Sequence, residues 1–276
     1  MYSLKKTITA ILVSVGPLCI NAQHASLSTG QAYSANHESI QNDTLKKIIF
    51  REPPVNKKGL PLKSLVIPGA MISYGFLSLG INGLKKLDHQ FQEDIWINKP
   101  HQSNHIDDYL IFVPVLSVYG LNAVGIKGKN NLRDRTMIYL LLSVIQNTTV
   151  FSIKKLSHRL RPDSSAYTSF PSGHTTTAFA SAEFFYREYK DVSIWYGVAG
   201  YTFAAATGYL RMYNNKHWFS DVVAGAGIGI LSTKVAYWIY PVIKRKLFKN
   251  KPMNTLMMPY YQKGEGGVSL VYNFSY

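Results

Sequence analysis

Three groups of basic residues and histidines between positions 154 and 221 have spacings suited to acting together on an anion. The first group is Lys154 followed, seven positions later, by Arg161 and then by Pro162. On a helix, two cations seven positions apart lie on one face, and proline ends a helix because it lacks an N–H and disfavours α conformation before it. The spacing therefore predicts a helix over 154–161 that directs two cations at an oxyanion. Taken alone, it favours a charged helix end beside a membrane.

The second group is Phe-Pro-Ser-Gly-His at 170–174, followed by the helix-forming run 175–186. The hydroxyl of Ser172 and the free N–H groups of a helix N-terminus suit an anion. Gly173 lets a phosphate come close to the backbone, and His174 is placed to give a proton to a leaving oxygen. This motif alone is weak, because serine is common at the start of a helix.

The third group is Arg211, His217 and Asp221, at the opening of a glycine-rich helix over 222–230. Four positions separate the last two, so Asp221 is placed to accept a hydrogen bond from Nδ1–H of His217. The other ring nitrogen, Nε2, is then free as an oriented nucleophile. A single histidine in such a place is typically a structural imidazole, and only the combination of all three groups indicates chemistry.

In this order, Lys-x6-Arg-Pro, Pro-Ser-Gly-His and Arg-x5-His-x3-Asp resemble the signature motifs of the type 2 phosphatidic acid phosphatase (PAP2) superfamily. That superfamily includes nonspecific acid phosphatases and vanadium haloperoxidases. The resemblance covers residues 64–245 and implies an all-helical core, no metal or other cofactor, and a phosphohistidine intermediate. It implies that His217 is the nucleophile, that Asp221 orients it and that His174 is the general acid. The phosphate-binding residues that it implies are Lys154, Arg161, Ser172, Gly173 and Arg211.

One position departs from the family pattern. Leu210 stands where the family usually has a serine before the third-motif arginine, which bears on the polar contacts around Arg211 and not on the nucleophile. Lys155, His158 and Arg159 lie outside the first motif, and no catalytic role is assigned to them.

The sequence around the third motif, residues 208–225, is similar to lipid phosphatases of the Bacteroidetes type, among them lipid A 4′-phosphatases and undecaprenyl pyrophosphate phosphatases. We therefore expect a phosphoric ester hydrolase acting on the phosphate monoester or pyrophosphate of a membrane lipid: lipid A, undecaprenyl pyrophosphate or phosphatidyl phosphate. A vanadium-dependent haloperoxidase and a soluble periplasmic acid phosphatase are the alternative enzymes. A non-enzymatic alternative is a basic surface, with net charge +15, that binds anionic membranes; export from the cytoplasm argues against nucleic acid as the partner.

Long apolar stretches with few alternating patterns predict an all-α fold, a helical bundle of about six core helices. With only 16% charged residues, the composition excludes a disordered chain. The stretches are 64–81, 109–126, 136–153, 175–186, 194–209 and 222–243.

We expect this bundle to be embedded in a membrane, a soluble or interfacial bundle being the alternative. Basic residues are concentrated in 127–135 and 244–251, whereas 82–108 holds five of the 15 acidic residues. The positive-inside rule then places the two basic segments in the cytoplasm and the motifs, one helix away, on the periplasmic side of the inner membrane. Six spans with that orientation would require residues before 64 to be cytoplasmic, so either 64–81 does not span or the bundle does not cross the membrane.

The two ends of the chain have their own patterns. Two lysines, the apolar run 7–20 and Ala22 predict a signal peptide over 1–22, with an uncleaved anchor as the alternative. Its removal would take away Cys19, the only cysteine in the sequence, and place the protein in the bacterial cell envelope. The other predicted divisions are a polar arm over 23–63, the phosphatase domain over 64–250 and a tail over 251–276 with a small C-terminal β-hairpin, formed by 257–262 and the alternating residues 268–276.

Overall fold

The structure is a computed structural model that describes residues 13–14, 62–248, 255–262 and 265–272. The polar arm and most of the predicted signal peptide lie outside the described residues. The chain divides into two compact units, one of residues 57–244 and one of residues 1–56 with 245–276.

The prediction of an all-helical bundle is confirmed. Within the described residues there are eight α-helices, preceded by a short 3-10 helix over Leu62–Leu65, with a π-helical turn over Glu93–Ile97. The helices are α1 (Val66–Gly80), α2 (Asn82–Gln92), α3 (Asp107–Leu110), α4 (Val113–Ala123), α5 (Leu132–Ser157), α6 (Gly173–Tyr189), α7 (Ile194–Tyr213) and α8 (Phe219–Phe248). Helix α2 lies within the acidic segment 82–108, and α3 begins at the end of that segment. The apolar pattern predicted no helix in this segment.

Polar residues begin three of the long helices by accepting hydrogen bonds from otherwise unpaired backbone N–H groups. The side chain of Asn131 accepts from the N–H of Asp134 at the start of α5. Ser172 and Ser193 do the same for α6 and α7. The apolar runs therefore become helices with defined first turns.

The predicted helix over 154–161 is wrong at its C-terminal end. Helix α5 ends at Ser157, because His158 adopts a left-handed conformation with φ 42° and ψ 34°, which cannot continue a right-handed helix. Lys154 is in the last turn of α5, whereas Arg161 lies in the loop that leads to α6. The two cations are thus not neighbours on one helical face.

Helix α6 lies at the centre of the larger unit. Its residues Phe184 and Tyr189 are fully buried, together with Ile138 and Leu142 of α5 and Val118 of α4. The hydroxyl of Tyr189 donates to the carbonyl oxygens of Val118 and Ile126, both at 3.0 Å, so a large apolar ring is buried without leaving its polar atom unpaired.

Helix α8 packs closely on α6 and α1 because it carries glycines at every second position from 225 to 229. A Cβ atom at Gly225 would lie 2.7 Å from the carbonyl oxygen of Ser172, and one at Gly227 would lie 2.8 Å from that of Pro68. These distances are too short for any side chain. The glycines therefore allow the backbone of α8 to approach the other two helices.

Within the described part of the chain, three helical segments are long and apolar enough to cross a membrane: Leu62–Gly80, Leu132–Ser157 and Phe219–Lys246. The 26 residues of α5 extend about 39 Å at the usual helical rise, which exceeds the hydrocarbon thickness of about 30 Å. One face of α5 exposes the apolar side chains of Leu140, Val144 and Phe151, as expected for a surface that contacts lipid.

Glu183, an acidic residue within an apolar stretch, is paired in the structure. Glu183 of α6 accepts from Arg187 at 2.7 Å, lies 3.3 Å from Nζ of Lys234 of α8, and accepts from the hydroxyl of Tyr201 at 2.5 Å. A buried carboxylate with three donors is compatible with an apolar setting because its charge and lone pairs are satisfied.

The described residues of the smaller unit include three strands. Strand β2 (Thr255–Gln262) pairs in antiparallel register with β3 (Glu265–Tyr272), Met257 lying opposite Leu270. These two strands occupy the tail in which the sequence predicts a hairpin. The two-residue strand β1 (Val13–Ser14), which falls within the predicted signal peptide, pairs with the other side of β3.

Candidate functional site

The three sequence motifs meet at one end of the helical bundle, where α5 and α7 end and α6 and α8 begin. The backbone N–H of Ser172 donates to the carbonyl oxygen of Asp221 at 3.1 Å. The hydroxyl of Ser157 donates to the carbonyl oxygen of Phe170 at 3.0 Å. These contacts join the end of α5, the start of α6 and the start of α8 directly.

His217 is buried in the turn between α7 and α8, two positions before α8 begins. Burial lowers its pKa to about 4; the nearby charge of Asp221 opposes this shift, and the cations Lys154 and Arg211 reinforce it. The imidazole is therefore neutral at ordinary pH, with a ring nitrogen free to act as a base or a nucleophile.

The expected pairing of His217 with Asp221 is close without being a hydrogen bond. Nδ1 of His217 lies 3.6 Å from Oδ2 of Asp221 and has no hydrogen-bond partner among the described residues. That carboxylate oxygen already accepts from the hydroxyl of Ser169 at 2.5 Å and from the backbone N–H of Trp218 at 3.0 Å. A few tenths of an ångström separate the present position from a hydrogen bond.

The three predicted phosphate-binding cations come from three different elements. Arg161 in the loop and Arg211 in the last turn of α7 both lie near enough to Lys154 for their charges to act on it. Nε of Arg161 and Nε of Arg211 are buried and lack a hydrogen-bond partner among the residues that the structure describes. The ammonium of Lys154 donates to the carbonyl oxygen of Thr168. Buried donors without partners are rare in proteins. Lys154 and Arg211 also lie close enough to His217 for their charges to act on it.

Ser172 and Gly173 form the start of α6. The hydroxyl of Ser172 accepts from the N–H of Thr175 at 3.4 Å and lies 2.8 Å from its hydroxyl, so its main structural role is to cap the helix. Beside Gly173 there is space: a Cβ atom there would meet only a methyl of Val150, at 3.9 Å. The backbone at the N-terminus of α6 is therefore open to an anion.

His174 and Arg211 are contacted by two carboxylates that the sequence motifs do not include. Nε2 of His174 lies 2.8 Å from Oδ1 of Asp108, and Nη1 of Arg211 donates to Oδ2 of Asp107 at 2.5 Å. Burial lowers the pKa of His174 below its usual value and the charge of Arg211 adds to this, while the hydrogen bond with Asp108 opposes it.

Asp107, Asp108 and His174 also form a group whose potential ligand atoms lie within 4.8 Å of one another. Metal ions are bound by groups of this kind, but such groups are common without an ion. Asp107 is already paired with Arg211, and Asp108 with His174. Each carboxylate therefore already has a positively charged or hydrogen-bonding partner in the protein.

Sequence reasoning missed two further residues of the site, Arg159 and Asp88. Nη1 of Arg159 donates to Oδ1 of Asp221 at 2.7 Å, and its Nη2 donates to Oδ2 of Asp88 on α2 at 2.6 Å. The sequence contains no spacing signal for this link, because Asp88 lies far from the motifs along the chain. The proximity of Arg159 to the first motif was the only available indication.

Fold and site together define a class: a helical bundle in which helix ends bring two histidines and several cations together at one end. Residues 135–245 match the model of the PAP2 superfamily, and this segment contains all eight predicted site residues. The chain is thus similar to the PAP2 superfamily over this segment.

One curated relative is a lipid A 1-phosphatase of Porphyromonas gingivalis, 42% identical over 141 residues. The match covers 51% of this chain and 32% of the relative, so the chain spans about a third of that protein's length. A transmembrane PAP2-type phosphatidylglycerolphosphate phosphatase of Bacillus subtilis is a structural neighbour, with 18% identity, a TM-score of 0.49 and coverage of 65% of this chain and 98% of its own. LpxE of Aquifex aeolicus has 17% identity, a TM-score of 0.36 and coverage of 71% and 93%.

Replacing Gly173 by alanine should separate anion binding from folding. The added methyl meets no protein atom closer than 3.9 Å, and alanine favours a helix over glycine by up to about 1 kcal/mol, so the melting temperature should stay equal or rise slightly. Inorganic phosphate, which must approach the same backbone, should bind about tenfold more weakly, a loss of about 1.4 kcal/mol.

The measurement is calorimetric titration of the purified protein with inorganic phosphate. Gly83→Ala is the matched control, since it lies in the first turn of α2 and its Cβ would also meet nothing within 4 Å. Unchanged phosphate affinity in Gly173→Ala would show that the anion does not approach the start of α6.

Proposed function

We propose that this chain is a metal-independent phosphatase that hydrolyses the phosphate monoester or pyrophosphate of a membrane lipid through a phosphohistidine intermediate. The observation that carries the proposal is the buried, neutral His217 near Lys154 and Arg211, together with the buried Nε atoms of Arg161 and Arg211, which have no hydrogen-bond partner among the described residues. Phosphoryl transfer requires mainly that charge on the phosphate oxygens be stabilised and the reactants be held in line. The same arrangement supplies both.

In the proposed reaction, Nε2 of His217 attacks phosphorus and the bond to the leaving oxygen breaks. His174 gives its proton to that oxygen, so the lipid leaves as a neutral alcohol from a monoester and as a lipid monophosphate from a pyrophosphate. His174 then takes a proton from water, whose oxygen attacks the phosphohistidine, and phosphate is released with both histidines restored. Lys154, Arg161, Arg211 and the N–H groups around Ser172 and Gly173 would hold the phosphate oxygens in both steps.

A lipid substrate is supported by the apolar exterior of the bundle and by the relative's name, a lipid A 1-phosphatase. Lipid A is therefore the first substrate to test, followed by undecaprenyl pyrophosphate and phosphatidyl phosphate. An anionic lipid headgroup would also suit a protein with a net charge of +15.

The central test measures phosphate release from these lipids by purified protein in detergent with EDTA present. Wild-type activity should survive the chelator, because the proposed steps use no metal, and His217→Ala should form no phosphoenzyme. His174→Ala should lose turnover mainly on alkyl phosphates and less on p-nitrophenyl phosphate, whose leaving group needs no proton.

Loss of activity in EDTA with recovery on added Mg²⁺ would contradict the mechanism. Equal losses of His174→Ala on both kinds of substrate would show that His174 is not the acid. If the wild type instead oxidises bromide with vanadate and peroxide and releases no phosphate, it is a haloperoxidase.

The dependence of kcat/KM on pH should be bell-shaped and lie on the acidic side. His217 must be neutral to attack, so activity should rise as pH increases through its pKa of about 4. His174 must be protonated to donate, so activity should fall as pH rises through its pKa, which lies below the usual 6.5. The profile of kcat/KM reports these groups in the free enzyme.

Asp108→Asn provides the control for this profile. Its carboxylate raises the pKa of His174, so the alkaline limb should move to lower pH while the acid limb stays in place. An alkaline limb that does not move would mean that another group donates the proton.

The proposed location is the inner membrane with the site facing the periplasm. Nζ of Lys244 lies 2.9 Å from Asp134, so Lys244 and the basic segment 127–135 lie at one end of the bundle. His217, at the start of α8, lies at the other end from Lys244. If the basic segments lie in the cytoplasm, the site at the other end of the bundle faces the periplasm.

Cysteine labelling tests this orientation. In a background without Cys19, a membrane-impermeant thiol reagent should label Ser165→Cys, in the exposed loop of the site, in cells with a permeabilised outer membrane. Lys127→Cys, exposed at the opposite end, should stay unlabelled until the inner membrane is broken. Labelling of position 127 alone would invert the topology, and labelling of both would indicate an exported enzyme that does not span the membrane.

A further inference from the structure

Arg159 lies behind the site rather than in the space for the anion. Its Nη1 donates to the hydroxyl of Ser220 at 2.8 Å and to Oδ1 of Asp221 at 2.7 Å, while its Nη2 reaches Asp88 at 2.6 Å. The guanidinium also lies over the ring of Trp218, 5.6 Å from its centre. The cation is thus held from four sides.

Asp88 connects this cation to the start of α8. Its side chain is 1% exposed, its Oδ1 accepts from the backbone N–H of Ser220 at 2.8 Å, and its Oδ2 accepts from the hydroxyl of Ser220 at 2.7 Å. Asp88 therefore caps the helix that carries Asp221. It belongs to α2, outside the segment 135–245 that matches the family model.

We propose that Arg159 is a positioning residue of the reaction: held by Asp88, it keeps the Asp221 carboxylate ionised and aimed at His217. This inference rests on the proposed function. Two buried carboxylates contact one guanidinium, so the group carries a charge of one cation minus two anions, or −1. That charge favours the positive imidazolium that His217 becomes when it is phosphorylated.

Without Arg159 the two buried carboxylates would have no shared cation. Like charges in one buried place push one of the two carboxyls toward its neutral form, and Asp221 would also lose one of the three hydrogen bonds to its side chain. The phosphate would keep its own contacts with Lys154, Arg161 and Arg211. A loss of Arg159 should consequently affect phosphoryl transfer and not substrate binding.

The test compares Arg159→Gln and Arg159→Lys with the wild type on the lipid phosphate that the wild type hydrolyses. Arg159→Gln should reduce kcat and the rate of phosphoenzyme formation by about 10- to 100-fold, as for other residues that orient a functional histidine from outside. KM and the inhibition constant of inorganic phosphate should change by less than about threefold. Arg159→Lys should recover part of kcat because it keeps the charge.

Arg187→Gln is the matched control, because Arg187 donates to a buried carboxylate, Glu183, at the same distance of 2.7 Å but outside the site. Its kcat should equal that of the wild type. Melting temperatures of all variants show whether a loss of kcat accompanies unfolding. Should Arg159→Gln fail to fold, Arg159→Lys and Asp88→Asn provide the same comparison of kcat with KM.

A double variant decides whether Arg159 acts through Asp221. In an Asp221→Asn background, Arg159→Gln should lower kcat no further, because residues that act as one unit are not additive. Additive losses, or a loss that appears in KM and not in kcat, would overturn the inference. If the wild type hydrolyses no lipid phosphate, the proposed function itself fails; if it does and Arg159→Gln keeps full kcat, only the role of Arg159 fails.

Discussion

The site depends on one close backbone contact, between the start of α6 and the start of α8. The N–H of Ser172 donates to the carbonyl oxygen of Asp221, and Gly225 faces the carbonyl oxygen of Ser172 with no room for a side chain. This contact brings the second and third motifs together, although most of α6 and α7 separates them along the chain. The close approach of these two helices therefore places Ser172 beside Asp221, the predicted partner of His217.

The opposite end of the same helices is fixed by buried charge. Arg135 and Glu188 have fully buried side chains that pair at 3.3 Å, and Tyr237 and Asn130 also donate to Glu188. Removing such charges from water costs several kcal/mol per ion, and the added hydrogen bonds offset part of that cost. This pairing joins α5, α6 and α8. It therefore specifies how the three helices pack at the end of the bundle away from the site.

The sequence predicted what local spacing encodes and missed what tertiary contacts create. Fixed intervals between Lys154 and Arg161 and between His217 and Asp221 indicated the PAP2 resemblance, and the structure places these residues at one end of the bundle. The apolar runs located six of the described helices. The end of α5 was misplaced because nothing in His158 indicates a left-handed residue, whereas Pro162 is an obvious helix breaker. Helix α2, with its charged residues, has no long apolar run, so Asp88 could not be connected to the motifs.

The carboxylates of the site divide into two groups with different tasks under the proposed function. Asp88 and Asp221 are tied to Arg159 and to the start of α8, so they form a frame that stays in place. Asp107 and Asp108 instead contact Arg211 and His174, the groups that phosphate and the leaving oxygen must reach. An arriving phosphate would then replace Asp107 at Arg211, one anion for another. Because the charge of the buried arginine is compensated before and after this exchange, its desolvation does not have to be overcome anew at each turnover.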